Sequence, residues 1–256
     1  MTSSEADSLP WPSLAVVIPI FNEAATIEQA CKAIVEVVRA YPGTARVIAV
    51  DDGSRDSSVQ TVTFLADELR ELELLRHEAN RGYGEALRTG AQRARDLGLE
   101  YVAFIDSDLT NPPSDLLKIG RLARQGHPYI KASRFIHGGE MSGVPFQRRV
   151  VSRVGNVVAR ALFGTDVRDV TNGFRAGRTE MICSWATREK TFAVIIEEFA
   201  RALETGVRPV EFPTSLSARS AIQRGSVFAY SPSVIWSYMR YPLRFRVQRI
   251  TALLRS

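Results

Sequence analysis

Asp106 and Asp108 stand one residue apart at the end of an apolar run, Tyr101, Val102, Ala103, Phe104 and Ile105. A short apolar run closed by an abrupt break reads as a buried strand, which puts both carboxylates at its C-terminal lip. Burying either charge without a partner costs several kcal/mol, so the pair calls for a cation, a hydrogen-bond network or open water. A hard divalent cation takes carboxylate and phosphate oxygens together, so a metal ion gripping a diphosphate meets that need. The competing reading is an acidic turn that is merely solvated, and Asp-x-Asp alone does not separate the two.

Two further loops carry the same kind of residue. Asn22 and Glu23 follow the apolar run 14–20, and Asp51, Asp52, Gly53 and Ser54 follow the run 46–50. Taken singly, each could be a cap or a turn: Ser54 and Asp56 cap helices well, and Asp-Gly favours turns. Three acidic loops gathered on one edge repel one another. A site that holds a metal ion and a hydroxyl-rich nucleotide accounts for all three.

The elements that must position these loops alternate. Runs at 14–20, 46–50, 72–76, 101–105 and 129–132 have strand character, while 26–39, 57–69 and 83–97 carry helical periodicity and a further helix is expected from about Ser114. Strands alternating with helices of this length predict an α/β fold, a mostly parallel sheet with helices on both faces. Ligands in such sheets bind beyond the carboxyl ends of the strands, where the loops after Ile20, Val50 and Ile105 lie. Neither Gly-x-Gly-x-x-Gly nor the Gly-x4-Gly-Lys-Ser/Thr loop follows the first strand, which argues against a dinucleotide-binding enzyme and a P-loop NTPase. Asn80-Arg81-Gly82-Tyr83-Gly84 reads as the tight start of the third helix, with a backbone able to approach a ligand and Arg81 able to reach an anion.

A chain of 256 residues, 45% hydrophobic, can bury one sizeable core. Cys31 and Cys183 lie far apart in no Cys-x-x-Cys pattern and read as thiols in a reducing compartment. His77, His127 and His137 lack ligand spacing, so no zinc is assigned. Glu5 and Asp7 precede Leu14 without a basic start and apolar stretch, so no signal peptide is expected. No apolar run approaches the ~20 residues of a membrane span.

The net charge of +5 is unevenly placed: no acidic residue follows Glu211, while Arg219, Arg224, Arg240, Arg244, Arg246, Arg249 and Arg255 do. Aromatics in this tail mix with aliphatics rather than lining a polar groove, which favours an anionic membrane surface over nucleic acid. Residues 146–163 form a second basic amphipathic segment, with Val150, Val151, Val154, Val157 and Val158 set against Arg148, Arg149, Arg153 and Arg160. Packing of those valines on the domain is the plain alternative. Pro242 is expected to interrupt any helix in the tail. The expected organisation is a flexible N-terminus (1–12), a catalytic domain (13–230) and a basic amphipathic C-terminal segment (231–256).

The motifs in their order resemble one family. Val17-Ile-Pro19-Ile-Phe-Asn22-Glu23, Val50-Asp-Asp52-Gly-Ser, Asn80-Arg-Gly-Tyr-Gly and Asp106-Ser-Asp108-Leu-Thr-Asn-Pro-Pro113 look like family 2 glycosyltransferases with the GT-A (Rossmann-like) fold. The nearer resemblance is to polyprenyl-phosphate sugar transferases of the dolichyl-phosphate mannose synthase type. It continues through Ser133-Arg134-Phe135 with Gly138-Gly139, Pro145-Phe146-x-Arg148, Asp169-x-x-Asn172-Gly173-Phe174, Glu197 and Arg224-Gly225-Ser226, spanning roughly residues 14–230.

The resemblance implies that Pro19, Glu23 and Asp52 line the nucleoside pocket, beside Asn22 and Arg81. Asp106 and Asp108 would hold Mg2+ or Mn2+ against the donor diphosphate, with Arg134 on the donor side. Thr110 stands where the family often has Gln and is a shorter candidate third ligand. Arg148 and Ser152 would meet the acceptor phosphate, and a later arginine of that site falls on Arg219 or Arg224. The implied reaction is inverting transfer of a sugar, mannose or glucose foremost, from a GDP- or UDP-sugar to a polyprenyl phosphate. The enzyme would sit peripherally on the cytoplasmic membrane face. A phosphomonoester is already largely anionic near neutral pH, its second pKa being about 6, so it needs alignment more than a general base. A hydroxyl acceptor would instead need a carboxylate base, for which Asp169 and Glu197 are the candidates. Two alternatives stay open: a family 2 enzyme acting on a hydroxyl acceptor, and a catalytically silent scaffold.

Overall fold

The apolar runs become strands because their side chains alternate between two separate cores. Along β1 (Leu14–Ile20), Leu14, Val16, Ile18 and Ile20 enter one core while Ala15 and Val17 enter the other. The same alternation splits β2 (Ala45–Asp51) and β4 (Tyr101–Phe104). A computed structural model describes residues 9–217 and 231–253. The remaining strands are β3 (Leu72–Arg76), β5 (Tyr129–Ser133), β6 (Glu140–Met141), β7 (Arg175–Arg178), β8 (Val210–Pro213) and β9 (Ser215–Leu216). The helices are α1 (Ile27–Arg39), α2 (Ser58–Glu68), α3 (Tyr83–Asp96), α4 (Leu116–Arg124), α5 (Phe146–Phe163), α6 (Thr179–Ser184), α7 (Val194–Glu204) and α8 (Pro232–Leu253).

The main sheet runs β3-β2-β1-β4-β7-β5-β8. The pairs β1–β2, β1–β4, β2–β3 and β5–β8 are parallel, and only β7 runs against its neighbours β4 and β5. Helices α1, α2 and α4 cover one face, and α3, α6 and α7 the other. The expected α/β fold is therefore found, with the order reversing between β1 and β4. That reversal opens a crevice at the carboxyl ends of the strands. A small parallel pair, β6 with β9, lies apart from the main sheet.

Two stretches differ from their sequence expectation. Residues 9–12, the described part of the expected flexible N-terminus, are held down: Trp11 meets Tyr41 edge to face at 5.2 Å, and the Tyr41 hydroxyl donates to the Pro12 carbonyl at 2.7 Å. The second is Pro242, which was expected to interrupt the tail helix; instead α8 runs unbroken through it. An interior proline removes one backbone hydrogen bond and costs about 3 kcal/mol. Packing around it offsets that cost. Phe163 of α5 is clasped between Phe199 of α7 at 5.1 Å and Phe245 of α8 at 5.3 Å, and Pro242 itself is buried. Among the described residues, no helix is long and apolar enough to cross a membrane.

Candidate active site

A cavity of about 550 Å3 opens at the crevice, within the size range of small-molecule sites. Its walls collect Pro19 near the end of β1 and residues from the three acidic loops: Glu23 after β1, Asp52 after β2, and Asp106 and Asp108 after β4. The sheet topology alone brings these together, since β1, β2 and β4 are adjacent and parallel.

The Asp51-Asp52 pair divides its labour. Asp51 makes the turn, its Oδ2 accepting from the backbone N–H groups of Gly53 and Ser54 at 3.1 Å each. Asp52 reaches the cavity wall, yet it also ties the start of α3 down. Its Oδ1 accepts from the Arg81 N–H at 2.8 Å and meets His77 Nδ1 at 2.7 Å, while Oδ2 accepts from the Gly82 N–H at 2.8 Å. A carboxylate has about four acceptor positions, so Asp52 keeps capacity for a ligand hydroxyl or base N–H. Asp51 thus serves the turn, and Asp52 lies on the cavity wall.

Asn22 and Arg81 do not line the cavity. Asn22, at φ 57°, staples two loops: its N–H donates to Ser54 Oγ at 2.9 Å and its Oδ1 accepts from the Arg55 N–H at 2.9 Å. The Arg81 guanidinium pairs with Glu85 at 2.6 Å on the outside of α3.

Asp106 and Asp108 both face the cavity. The Tyr83 hydroxyl donates to Asp106 Oδ1 at 2.9 Å. Asp108 Oδ1 accepts from the Thr110 N–H at 3.1 Å and from its hydroxyl at 2.8 Å. Thr110 itself is not on the cavity wall, and its two hydrogen bonds steady Asp108. Among the described residues, no three His, Cys, Asp or Glu side chains gather into a metal cluster. Two carboxylates beside an open cavity nevertheless fit Mg2+ or Mn2+, since Mg2+ typically binds through one or two carboxylates plus substrate phosphates and water.

Arg134 and Asp169 are brought together, though not onto the cavity wall. Asp169 is fully buried at the foot of the loop before β7, and Arg134 follows β5. Burial would push the Asp169 carboxyl up, but the charge and hydrogen bonds of Arg134 outweigh it and hold the group below its ordinary range. A carboxylate held in this way is a poor proton acceptor. Glu197, the other candidate, is buried and accepts from the backbone N–H groups of Arg188 and Glu189 at 2.9 and 2.7 Å.

Helix α5 is pinned to this region by Asn156. Its Nδ2 donates to Thr171 Oγ1 at 2.9 Å, and Thr171 Oγ1 also accepts from Arg134 Nη2 at 2.9 Å. Ser152 lies one turn and Arg148 two turns further toward the N-terminus of α5, the latter ~12 Å along the axis at 1.5 Å per residue. Arg148 is exposed and Ser152 half-buried, and neither lines the cavity. Arg219 and Arg224 lie outside the described residues.

Several wall residues carried no motif. Lys190, Thr191 and Phe192 form one side, and Ser233, Val234, Ser237 and Tyr238 of α8 another. Glu189 joins the two: its Oε2 accepts from Arg240 and from the Tyr241 hydroxyl, and its Oε1 from the Lys190 and Thr191 N–H groups at 3.1 Å each. The segment presses on α3 where side chains are absent. A Cβ at Gly84 would stand 2.1 Å from the Glu189 carbonyl oxygen, and Gly82, at φ 103°, would meet the Lys190 carbonyl at 2.6 Å. The glycines flanking Tyr83 were the only sequence sign of this contact.

The mostly parallel sheet thus sets an Asp-x-Asp lip on a cavity of small-molecule size. Residues 15–184 match the family described as Glycosyl transferase family 2, and the chain belongs to that family. It is similar to the polyprenol monophosphomannose synthase of Mycolicibacterium smegmatis, 28% identical over 82% of this chain and 79% of that one. It is also similar to the dolichol-phosphate mannosyltransferase of Pyrococcus furiosus, 24% identical over 85% of this chain but only 61% of that longer one. Among solved structures, glucosyl-3-phosphoglycerate synthase from Mycobacterium tuberculosis with UDP superposes with a TM-score of 0.69 at 18% identity, covering 96% of this chain and 84% of that one. The same enzyme with Mn2+, UDP-glucose and phosphoglyceric acid gives 0.64 at 19% identity, covering 90% and 80%.

Proposed function

We propose that this chain transfers a sugar, mannose or glucose foremost, from a nucleoside diphosphate sugar to a polyprenyl phosphate at a membrane surface. Pro19, Glu23 and Asp52 would bind the nucleoside, and Asp106 and Asp108 would hold Mg2+ or Mn2+ against the diphosphate. The cation would neutralise charge growing on the leaving diphosphate. Ser152 and Arg148, with a contribution from Arg219 or Arg224, would align the acceptor phosphate for displacement with inversion. The names of the curated relatives support the lipid phosphate as acceptor.

The observation that carries this reading is the engagement of both candidate bases. Asp169 is held by Arg134, and Glu197 by two backbone N–H groups. A hydroxyl acceptor would need one of them, whereas a phosphate oxygen is already charged. Membrane attachment is supported by exposed apolar side chains on α5 and α8, which pack side by side. Val154 and Val157 are each 56% exposed, and Trp236 and Val247 each 62%, among Arg149, Arg153, Arg244 and Arg246. Basic helices with such faces lie in the interface of anionic membranes. We place the enzyme peripherally on the cytoplasmic face, with no role for nucleic acid. A panel of GDP- and UDP-sugars with Mg2+ or Mn2+ and short polyprenyl phosphates tests the reading. A lipid-linked sugar with one donor is the expected outcome, and donor hydrolysis alone across the panel would contradict it.

A further inference from the structure

Tyr83 opens α3 between two glycines and sends its hydroxyl to Asp106 Oδ1 at 2.9 Å. The ring is held on its face by Phe192, with centroids 4.3 Å apart. Phe192 in turn belongs to the segment fastened to α3 by the Gly84 N–H, which donates to the Lys190 carbonyl at 2.9 Å. A phenol keeps its proton at neutral pH and a carboxylate only accepts, so the Tyr83 hydroxyl is the donor of this bond. On the other side of the pair, a Cβ at Gly173 would stand 3.4 Å from Asp106 Oδ2 and 3.5 Å from the Tyr83 oxygen. The carboxylate is thus bounded by Tyr83 at one oxygen and by the backbone before β7 at the other.

We propose that Tyr83 is a positioning residue for the divalent cation: by holding Oδ1, it fixes the rotation at which Asp106 meets the metal. The inference rests on the donor-site reading above. Partners that orient a ligating carboxylate typically change metal affinity by about 10–100-fold when removed. Tyr83 needs no contact with the sugar or the nucleotide for this role, and its effect passes through Asp106.

The test is direct Mn2+ binding to the full chain, followed by electron paramagnetic resonance at saturating GDP and, in parallel, saturating UDP. Tyr83→Phe removes one oxygen and keeps the ring against Phe192. It is expected to weaken Mn2+ binding about tenfold, with nucleotide affinity in EDTA unchanged and the thermal midpoint lowered by no more than about 4 °C. Phe192→Leu keeps the hydroxyl but loosens the ring, and is expected to weaken Mn2+ binding by a smaller factor; it carries the test where Tyr83→Phe does not fold. Mn2+ binding equal to the unaltered chain in both variants overturns the proposal while leaving the donor site standing. Equal loss of nucleotide affinity in EDTA also overturns it, since Tyr83 would then contact the donor itself. An unaltered chain that binds no Mn2+ with either nucleotide overturns the metal reading and this proposal together.

Discussion

Arg134 grips Asp169 through two parallel hydrogen bonds of 2.7 Å, Nε to Oδ2 and Nη2 to Oδ1. The Arg134 backbone N–H adds a third at 2.9 Å, so the loop after β5 and the loop before β7 are locked together. This pair is an architectural joint between the two loops, and it fixes Thr171 and, through Asn156, the middle of α5. Removing one partner of a buried ion pair leaves the other charge uncompensated and costs about 3–5 kcal/mol. Asp169→Asn is therefore expected to lower unfolding free energy in urea by about 3 kcal/mol, with activity falling alongside. A fall in kcat at unchanged stability, with loss of the basic limb of the pH profile, would return Asp169 to the role of base.

Asp108 and Thr110 should separate by size of effect. Asp108→Ala removes a carboxylate from the cavity wall and is expected to cut sugar transfer by at least ~100-fold, the scale of losing one preorganised electrostatic group. Thr110→Val removes only a hydrogen bond of 2.8 Å to that carboxylate, worth about 1 kcal/mol, or roughly a five- to tenfold change in metal requirement. Metal-activation curves for the two variants check this. Equal losses would make Thr110 a ligand.

Lys131 gives a pH signature. It is fully buried on β5, donates to the Asn172 carbonyl at 3.1 Å, and is pushed down to about 7 by burial first and by Arg175 second. The unfolded chain holds this proton up to an ordinary lysine pKa of about 10.4. Between those values the unfolded state binds more protons, so stability from this group rises with pH. The cost of burying the charge is fully present below about 7 and is relieved as pH climbs toward 10. Relative to Lys131→Met, the native chain should gain up to about 1.4 kcal/mol per pH unit across that window in paired urea melts. A difference independent of pH would show that Lys131 titrates normally.

Much of this was legible in the sequence, for reasons that are local. Strands β1, β2 and β4 are short apolar runs that stop at acidic residues, and parallel pairing of neighbours forces those stops onto one edge. That logic brought Glu23, Asp52, Asp106 and Asp108 to one edge, the family resemblance added Pro19, and all five meet at one cavity. It could not tell a wall residue from a staple. Asn22 sits beside Glu23 and Arg81 in the loop that opens α3, but φ 57° at Asn22 and the pull of Glu85 on Arg81 turn them elsewhere. Long-range closure was invisible as well. Lys190, Phe192 and Tyr238 reach the cavity only because Glu189 bonds Arg240 and Tyr241, some fifty residues away and in no motif. The Pro242 expectation failed for the same reason, since local propensity was outweighed by the clasp of Phe163 between Phe199 and Phe245.

The basic face of α5 should be separable from the fold. Val154 and Val157 are both exposed, so Val154→Asp with Val157→Asp is expected to change stability by no more than about 0.5 kcal/mol each. Flotation with phosphatidylserine-containing vesicles should fall several-fold, and native binding should weaken with salt as anionic attraction is screened. Unchanged flotation of the double variant would remove α5 from the docking face.

In the proposed reaction a phosphate oxygen, already charged and aligned by arginine, is the nucleophile. The most direct measurement offers the enzyme, its metal and its preferred nucleotide sugar two acceptors of one chain length: a polyprenyl monophosphate and the corresponding polyprenol. Mass spectrometry of the products should show a phosphodiester-linked sugar from the first and none from the second. Glycosylated polyprenol at a comparable rate would mean that a hydroxyl is activated here, and the account would be wrong.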